Sequence, residues 1–518
     1  QPDWRSTKDF TVFGRPRLFF GVTAGNMDSM VALYTAQRKI RSEDAYTEGG
    51  AAGRRPEMPT VVYTQRIKQA FGKVPVVIGG IEASLRRVAH YDFYKETLRP
   101  SVLLDAKADL LIYGNGESPL RCLVERLRAG EAFDAVRDIR GTAVPVKGGD
   151  KEAHTDAEPL PSFEALCADR RAFADMTRTV LANLNPHSAV PLFQEAGTRA
   201  VRINPPAFPL TASELDAIYD LPYTRRAHPM YKQEIPALKV VRNSITAHRG
   251  CYGGCRFCAL SMHQGRTVQS RSRASVLREV DGITAGRKKP VMITDIGGPT
   301  ANMYGTGCRG ESHRDCTRTS CLFPKICPRL DTDSTAYEDL LEAVLRHPKV
   351  KGVFINSGIR SDLALKNKSF IRALARQHGG GHVSAAPEHS ESNVLRRMGK
   401  PGINTFLKFR DLFNESARHE SGKEIYLMPY FIVGFPGADA RTEAALARFV
   451  AEKKIRMEQI QEFIPTPMTA ATAMFYTGTD IFTGEEIRVD RKAGVKKRWK
   501  QRIIDQQKKD GGSRERKP

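Results

Sequence analysis

Three stretches near the start of the chain are almost continuously apolar: RPRLFFGVT (15–23), VPVVIGG (74–80) and ADLLIYGNGE (108–117). Runs of this kind, rather than two-residue alternation, predict strands of a parallel sheet covered by helices on both faces. Each ends in small residues. Gly79, Gly80, Gly114 and Gly116 therefore fall where strand ends form ligand crevices in open α/β sheets, or simply make tight turns. A helix is predicted over 117–129, then the turn-rich GTAVPVKGGD (141–150) and a helical stretch holding Phe163, Leu166 and Phe173. Prolines crowd 202–236 and predict an extended strap, because proline fixes φ and removes a donor. From 238 the strand–helix alternation resumes. Strands are predicted at 238–246, 290–297, 350–358, 381–388, 424–435 and 459–465, separated by stretches of helical length. Six β–α units in series read as a barrel or an incomplete barrel. The expected layout is an α/β domain over 1–130, a helical and proline-rich connection over 131–237, and a partial barrel over 238–470 with an insertion at 305–330. A basic tail over 471–518 is expected to be disordered, with room for a short helix around 495–507.

Length supports several domains, since 518 residues exceed what one core usually holds. No run of about 18 apolar residues occurs, so no membrane span is predicted. The opening QPDWRSTKDF lacks the apolar segment of a signal peptide. Lys and Arg number 81 against 58 Asp and Glu, a net charge of +23. Residues 491–518 hold 12 basic and 3 acidic side chains, leaving +14 elsewhere. Such a surplus suits RNA as a partner, or else a solvated basic surface. Of nine cysteines, Cys122 and Cys167 stand alone and the other seven form two groups between 251 and 327. Tight local groups predict metal sites in a reducing compartment, and hence the cytoplasm.

The first group is Cys251-Tyr-Gly-Gly-Cys255-Arg-Phe-Cys258. Gly250, Gly253 and Gly254 let the backbone wrap closely around an inorganic core. Three thiolates on a four-iron cluster leave one iron open, which distinguishes a reactive site from a closed structural one. A zinc knot completed by His248 or His263 is the alternative. At this point the chain resembles the radical S-adenosylmethionine (SAM) superfamily, whose signature is C-x3-C-x2-C with an aromatic residue, here Phe257, before the last cysteine. The resemblance implies a partial (β/α)6 barrel, a [4Fe-4S] cluster on Cys251, Cys255 and Cys258, and SAM bound at the open iron. It also implies reductive cleavage of SAM, hydrogen abstraction from a substrate, and a low-potential donor such as flavodoxin or ferredoxin. Gly297 and Gly298 match the turn that binds the methionine amine, with Pro299 where an acidic residue is usual. Ser384 and Glu388 match contacts to the methionyl carboxylate or ribose, and Ile432, Val433 and Gly434 match the adenine-packing segment.

Whole phrases resemble the YgiQ (UPF0313) family more closely: GVTAGNMDSM, VVIGGIEASLRRVAHYDFY, NPPAFPLT, DLPYTR, HQGRTVQSRS, TDIGGPTANMYG and INSGIRSDLA. The front domain resembles a cobalamin-binding fold. The strand and D-x-H-x-x-G loop that would hold cobalamin are missing from the present chain, so cobalamin is not expected.

The second group, Cys308, Cys316, Cys321 and Cys327, is spaced C-x7-C-x4-C-x5-C and interleaved with Arg309, Arg314, Arg318, Lys325 and Arg329. Four thiolates complete a shell for zinc or for a second [4Fe-4S] cluster, with His313 as a spare donor. The functional expectation is a radical SAM enzyme of unidentified substrate, with RNA the first to test. An RNA- or ribosome-associated iron-sulfur protein without turnover is the rival.

Overall fold

A computed structural model describes residues 1–150, 155–310, 313–420, 425–455, 457 and 460–510. The front sheet holds β1 (Phe20–Thr23), β2 (Val76–Gly79), β3 (Leu110–Ile112), β4 (Thr142–Lys147), β5 (Glu158–Pro159), β6 (Leu192–Ala196) and β7 (Arg199–Ile203). Their order is β1-β2-β3-β4-β7-β6-β5. The first three are parallel, matching the three apolar runs. β4 pairs antiparallel with both β3 and β7, and β6 with β7. The region expected to be a helical and proline-rich connection over 131–237 thus supplies four strands to the same sheet. The overlooked signal is the Gly197-Thr198 turn between LFQEA and RAVRI, where Gly197 takes a φ of +61°. Glycine accepts that backbone freely, and a two-residue turn between apolar segments marks a hairpin.

The second half contains β8 (Ser244–Thr246), β9 (Val291–Ile293), β10 (Asp295–Gly297), β11 (Val350–Val353), β12 (His382–Glu388), β13 (Tyr426–Val433) and β14 (Ile460–Glu462). β8 pairs with β10, β9 with β11, β12 with β13 and β13 with β14, all parallel. A parallel bridge from Ile359 to Ala385 carries the order across from β11 to β12. The pairings follow chain order and resemble a partial barrel. Among the described residues β14 does not pair with β8, so closure is not seen. The predicted strand over 238–246 is shorter than expected, because Pro236 opens a helical turn over Pro236–Val241. Proline at the first helical position is preorganised for that role, and it overrides the β-branched Val240 and Val241. Glu424 and Gln459, at the starts of two predicted strands, lie outside the described residues.

The expected disordered tail differs most. A helix over Ala493–Asp510 covers the short one anticipated around 495–507, but a second, Ala470–Thr477, was not foreseen, and 511–518 lie outside the described residues. Ala470, Ala471, Ala473, Met474 and Phe475 are buried in a core shared with the front sheet, where Phe475 meets Tyr91, Phe93 and Phe463. Ile503 is buried in the barrel core. Apolar burial of this extent outweighs the local density of charge. No helix among the described residues is long and apolar enough to cross a membrane.

Candidate active site

The first cysteine loop leaves β8 through a short antiparallel pair, His248–Arg249 with Gln269–Ser270. Gly250 turns the chain at φ +81°, and a Cβ there would lie 2.0 Å from the Thr267 carbonyl oxygen. Only glycine fits such an approach. Cys258 N–H donates to the Cys255 carbonyl at 3.1 Å, curling the three thiols toward one side. Cys251, Cys255, Cys258 and Phe257 line a cavity of about 180 Å³ with Pro299, Thr300, Arg360, Asp362, Glu388 and Lys400. It opens at the ends of the strands, where barrel enzymes place their chemistry.

The cavity is lined by charged side chains. Burial, with Cys255 as neighbour, pushes the Cys258 thiol up to about 12, and burial likewise raises Cys251. Three thiols so close resist ionising together unless a cation lies between them, so the donor set suits a metal cluster. Among the described residues no three Cys, His, Asp or Glu side chains converge tightly enough for a single ion. The thiols instead surround a space that a larger core would fill.

Two cation–carboxylate pairs complete the wall. Arg360 holds Asp362 through Nε–Oδ1 at 3.0 Å and Nη2–Oδ2 at 2.5 Å. Its Nη1 also donates to Cys255 Sγ at 3.3 Å. Lys400 Nζ stands 3.7 Å from Glu388 Oε1. Burial raises the Glu388 carboxyl, opposed by the charges of Lys400 and Arg360.

The other residues singled out by the sequence stand back from this wall. Gly297 ends β10 with no room for a Cβ, which would meet Ser357 Oγ at 2.4 Å. Gly298 packs on His248, whose Nε2 a Cβ would meet at 2.6 Å. The turn they make projects Pro299 and Thr300 into the cavity. Ser384 is buried on β12, where its carbonyl accepts from Ile359 N–H at 2.9 Å. Ile432 and Val433 lie within β13, and Gly434 N–H donates to Glu443 Oε1 at 2.7 Å beneath the Lys496 side chain. Neither histidine considered for a zinc knot lines the cavity. His263 Nδ1 meets Ser84 Oγ of the front domain at 2.9 Å, and burial pushes both His248 and His263 down to about 4. Arg360, Asp362 and Lys400 were not singled out from the sequence. For Arg360 and Asp362 the signal was present: charged side chains just past the predicted strand 350–358, in INSGIRSD.

A parallel strand series carrying three clustered cysteines at its mouth defines a radical SAM protein, and the Radical SAM N-terminal family profile matches residues 1–244. The chain belongs to the UPF0313 family, which includes the YgiQ proteins. It is 47% identical over 493 residues to a UPF0313 protein of Geobacter sulfurreducens, covering 95% of this chain and 81% of that protein. It is 41% identical over 535 residues to the YgiQ protein of Escherichia coli, covering 92% and 72%. Among solved structures, TsrM from Kitasatospora setae, with cobalamin and a [4Fe-4S] cluster bound, gives a TM-score of 0.48 at 15% identity, covering 90% of this chain and 68% of that one. OxsB, with aqua-cobalamin bound, gives 0.43 at 13% identity, covering 82% and 45%. The expectation that cobalamin is absent is corrected by these findings. It rested on a missing upstream loop, and TsrM and OxsB are solved with cobalamin bound. Likeness at this level assigns no cobalamin contact to any residue of the present chain.

Proposed function

We propose that the chain is a radical SAM enzyme, with Cys251, Cys255 and Cys258 holding a [4Fe-4S] cluster and the 180 Å³ cavity receiving SAM. The observation that carries this reading is the meeting of three thiols with two cation–carboxylate pairs in one buried cavity. When bound, the cluster and SAM supply an electron and a carbon radical able to take hydrogen from a substrate. The protein's own part is recognition and exclusion. Arg360 and Lys400 attract a carboxylate, while Asp362 and Glu388 accept from an ammonium, which together match the two ends of an amino acid. Phe257 and Ile403 give the wall apolar surface and keep water out. Glu388 holds its position at a φ of +72°, a strained backbone that directs its carboxylate toward Lys400.

The test is anaerobic reconstitution with reductant and SAM, followed by quantitation of 5'-deoxyadenosine. Wild type should form it above a Cys258→Ala control, and equal amounts in both would defeat the reading. The net charge of +23 makes RNA the first substrate class to try. Affinity for RNA should fall steeply with added salt, and a flat response would remove RNA from consideration.

A further inference from the structure

Between β10 and the helix Thr335–Leu345 the chain makes an excursion closed by an antiparallel pair, Gly307–Cys308 with Leu330–Asp331. Cys308, Cys316 and Cys321 line a second cavity, of about 250 Å³. Cys327 completes the group: its N–H donates to the Cys321 carbonyl at 2.8 Å, and the Cys321 thiol lies within electrostatic reach of the other three cysteines. Arg266 is largely buried beside them, with its charge facing Cys321 and Cys316. Neither the family profile nor the relatives' names mention a site here.

The loop is held in shape from two sides. The Asn185 side-chain nitrogen reaches the carbonyls of His313, Arg314 and Cys316 at 2.9, 3.2 and 3.2 Å. From the other side, Cys321 N–H donates to the Tyr252 carbonyl at 3.0 Å, and Ser320 Oγ to the Gly253 carbonyl at 2.7 Å. A Cβ on Gly254 would lie 2.5 Å from the Thr319 carbonyl oxygen, so the two cysteine loops are in direct backbone contact.

The geometry separates the two metals left open by the spacing. Zinc draws its sulfurs to about 2.3 Å of one point and leaves no void among them. Here no three donors among the described residues converge on a point, while three thiols face a cavity of about 250 Å³. A cube of four irons and four sulfides keeps its thiolates apart around a core of its own. The Arg266 guanidinium offsets the negative charge that four thiolates bring.

We infer that Cys308, Cys316, Cys321 and Cys327 hold a second [4Fe-4S] cluster, with every iron bound by the protein. With no open iron it serves as a one-electron carrier. It takes one electron from a reduced flavodoxin- or ferredoxin-type protein, which is oxidised by that electron, and no bond or proton changes. The contact with residues 252–254 places this carrier against the first cysteine loop.

The experiment counts iron, sulfide and zinc in the full chain after anaerobic reconstitution, with electron paramagnetic resonance after dithionite reduction. Wild type should hold about eight irons, and the Cys251→Ala/Cys255→Ala/Cys258→Ala variant about four, with a reducible cluster signal. A Cys316→Ser/Cys321→Ser variant should also keep about four. About four irons in wild type, all lost from the triple-alanine variant, would overturn the inference. So would one zinc per chain persisting in that variant. The wild-type count stands even if a variant misfolds. About four irons in both wild type and the triple-alanine variant would uphold the second cluster and refute the first.

Discussion

Glu443 offers a sharp test of the physical reasoning. Its carboxyl is fully enclosed behind the Gly434 turn, and burial pushes it up to about 8 from the ordinary 4.5. One oxygen accepts from Gly434 N–H. The other, Oε2, faces His389 Nε2 at 4.0 Å, and neither atom has a hydrogen-bond partner among the described residues. Between pH 4.5 and 8 folding must therefore take up a proton at this site, so stability falls as pH rises through that window. At 1.36 kcal/mol per pH unit, the cost is about 2 kcal/mol at pH 6 and nearly 5 at pH 8.5. Gln in place of Glu keeps the acceptor for Gly434, carries no charge, and gives His389 a donor. Burial holds His389 down to about 3, but that term is common to both proteins and cancels in their difference. Glu443→Gln should therefore raise the melting temperature, by roughly 2 °C at pH 6 and about twice that at pH 8.5. Anaerobic scanning calorimetry at the two pH values reads both shifts. An equal shift at both, or a loss of stability, would refute the argument from desolvation.

Other perturbations follow from single contacts. Gly298→Ala would press a Cβ onto His248 and move Pro299 and Thr300 at the cavity wall. SAM affinity, read by equilibrium dialysis, should fall by at least about fivefold at unchanged iron content, as expected for 1–3 kcal/mol of overpacking. Arg360→Gln would remove a cation donating to Cys255 Sγ. The midpoint potential of the first cluster, read by redox titration, should become more negative by up to about 60 mV, one tenfold step for one electron. Ile503→Asp would bury an unpaired carboxylate in the barrel core. It should cost about 3 kcal/mol or more, and limited proteolysis should release the C-terminal helix that wild type retains.

The three cysteines were legible because their spacing is local: one turn of loop carries all of them. Of the charged cavity wall only Glu388 was, because Arg360 and Asp362 follow β11, Lys400 follows the helix Ser392–Met398, and only the topology gathers them. Parallel strands were readable from their apolar runs, whereas β4, β6 and β7 were missed. In β4 the strand TAVPVK includes Pro145, a residue that argues against a strand interior. Residues 471–477 were misread for a different reason. AATAMFYT has almost no polar face, so periodicity carried no information, and the basic residues beyond it dominated composition.

That misreading bears on function. With 471–477 taken as tail, the front domain looks like an appendage to the barrel. With those residues in the shared core, the front domain becomes part of the cysteine site's support. Glu117, at the start of the helix after β3, pairs with Arg249 at 2.5 Å, two residues before Cys251. Ser84 holds His263, five residues after Cys258, and Asn185 clamps the second cysteine loop. Arg249 and His263 also line the crevice of about 550 Å³ at the ends of β1–β3, beside Gly79, Gly80 and Gly114. A ligand in that crevice would touch residues flanking the first cysteine loop on both sides. The cysteine loop is therefore braced by both domains, and separating them would take that bracing with it.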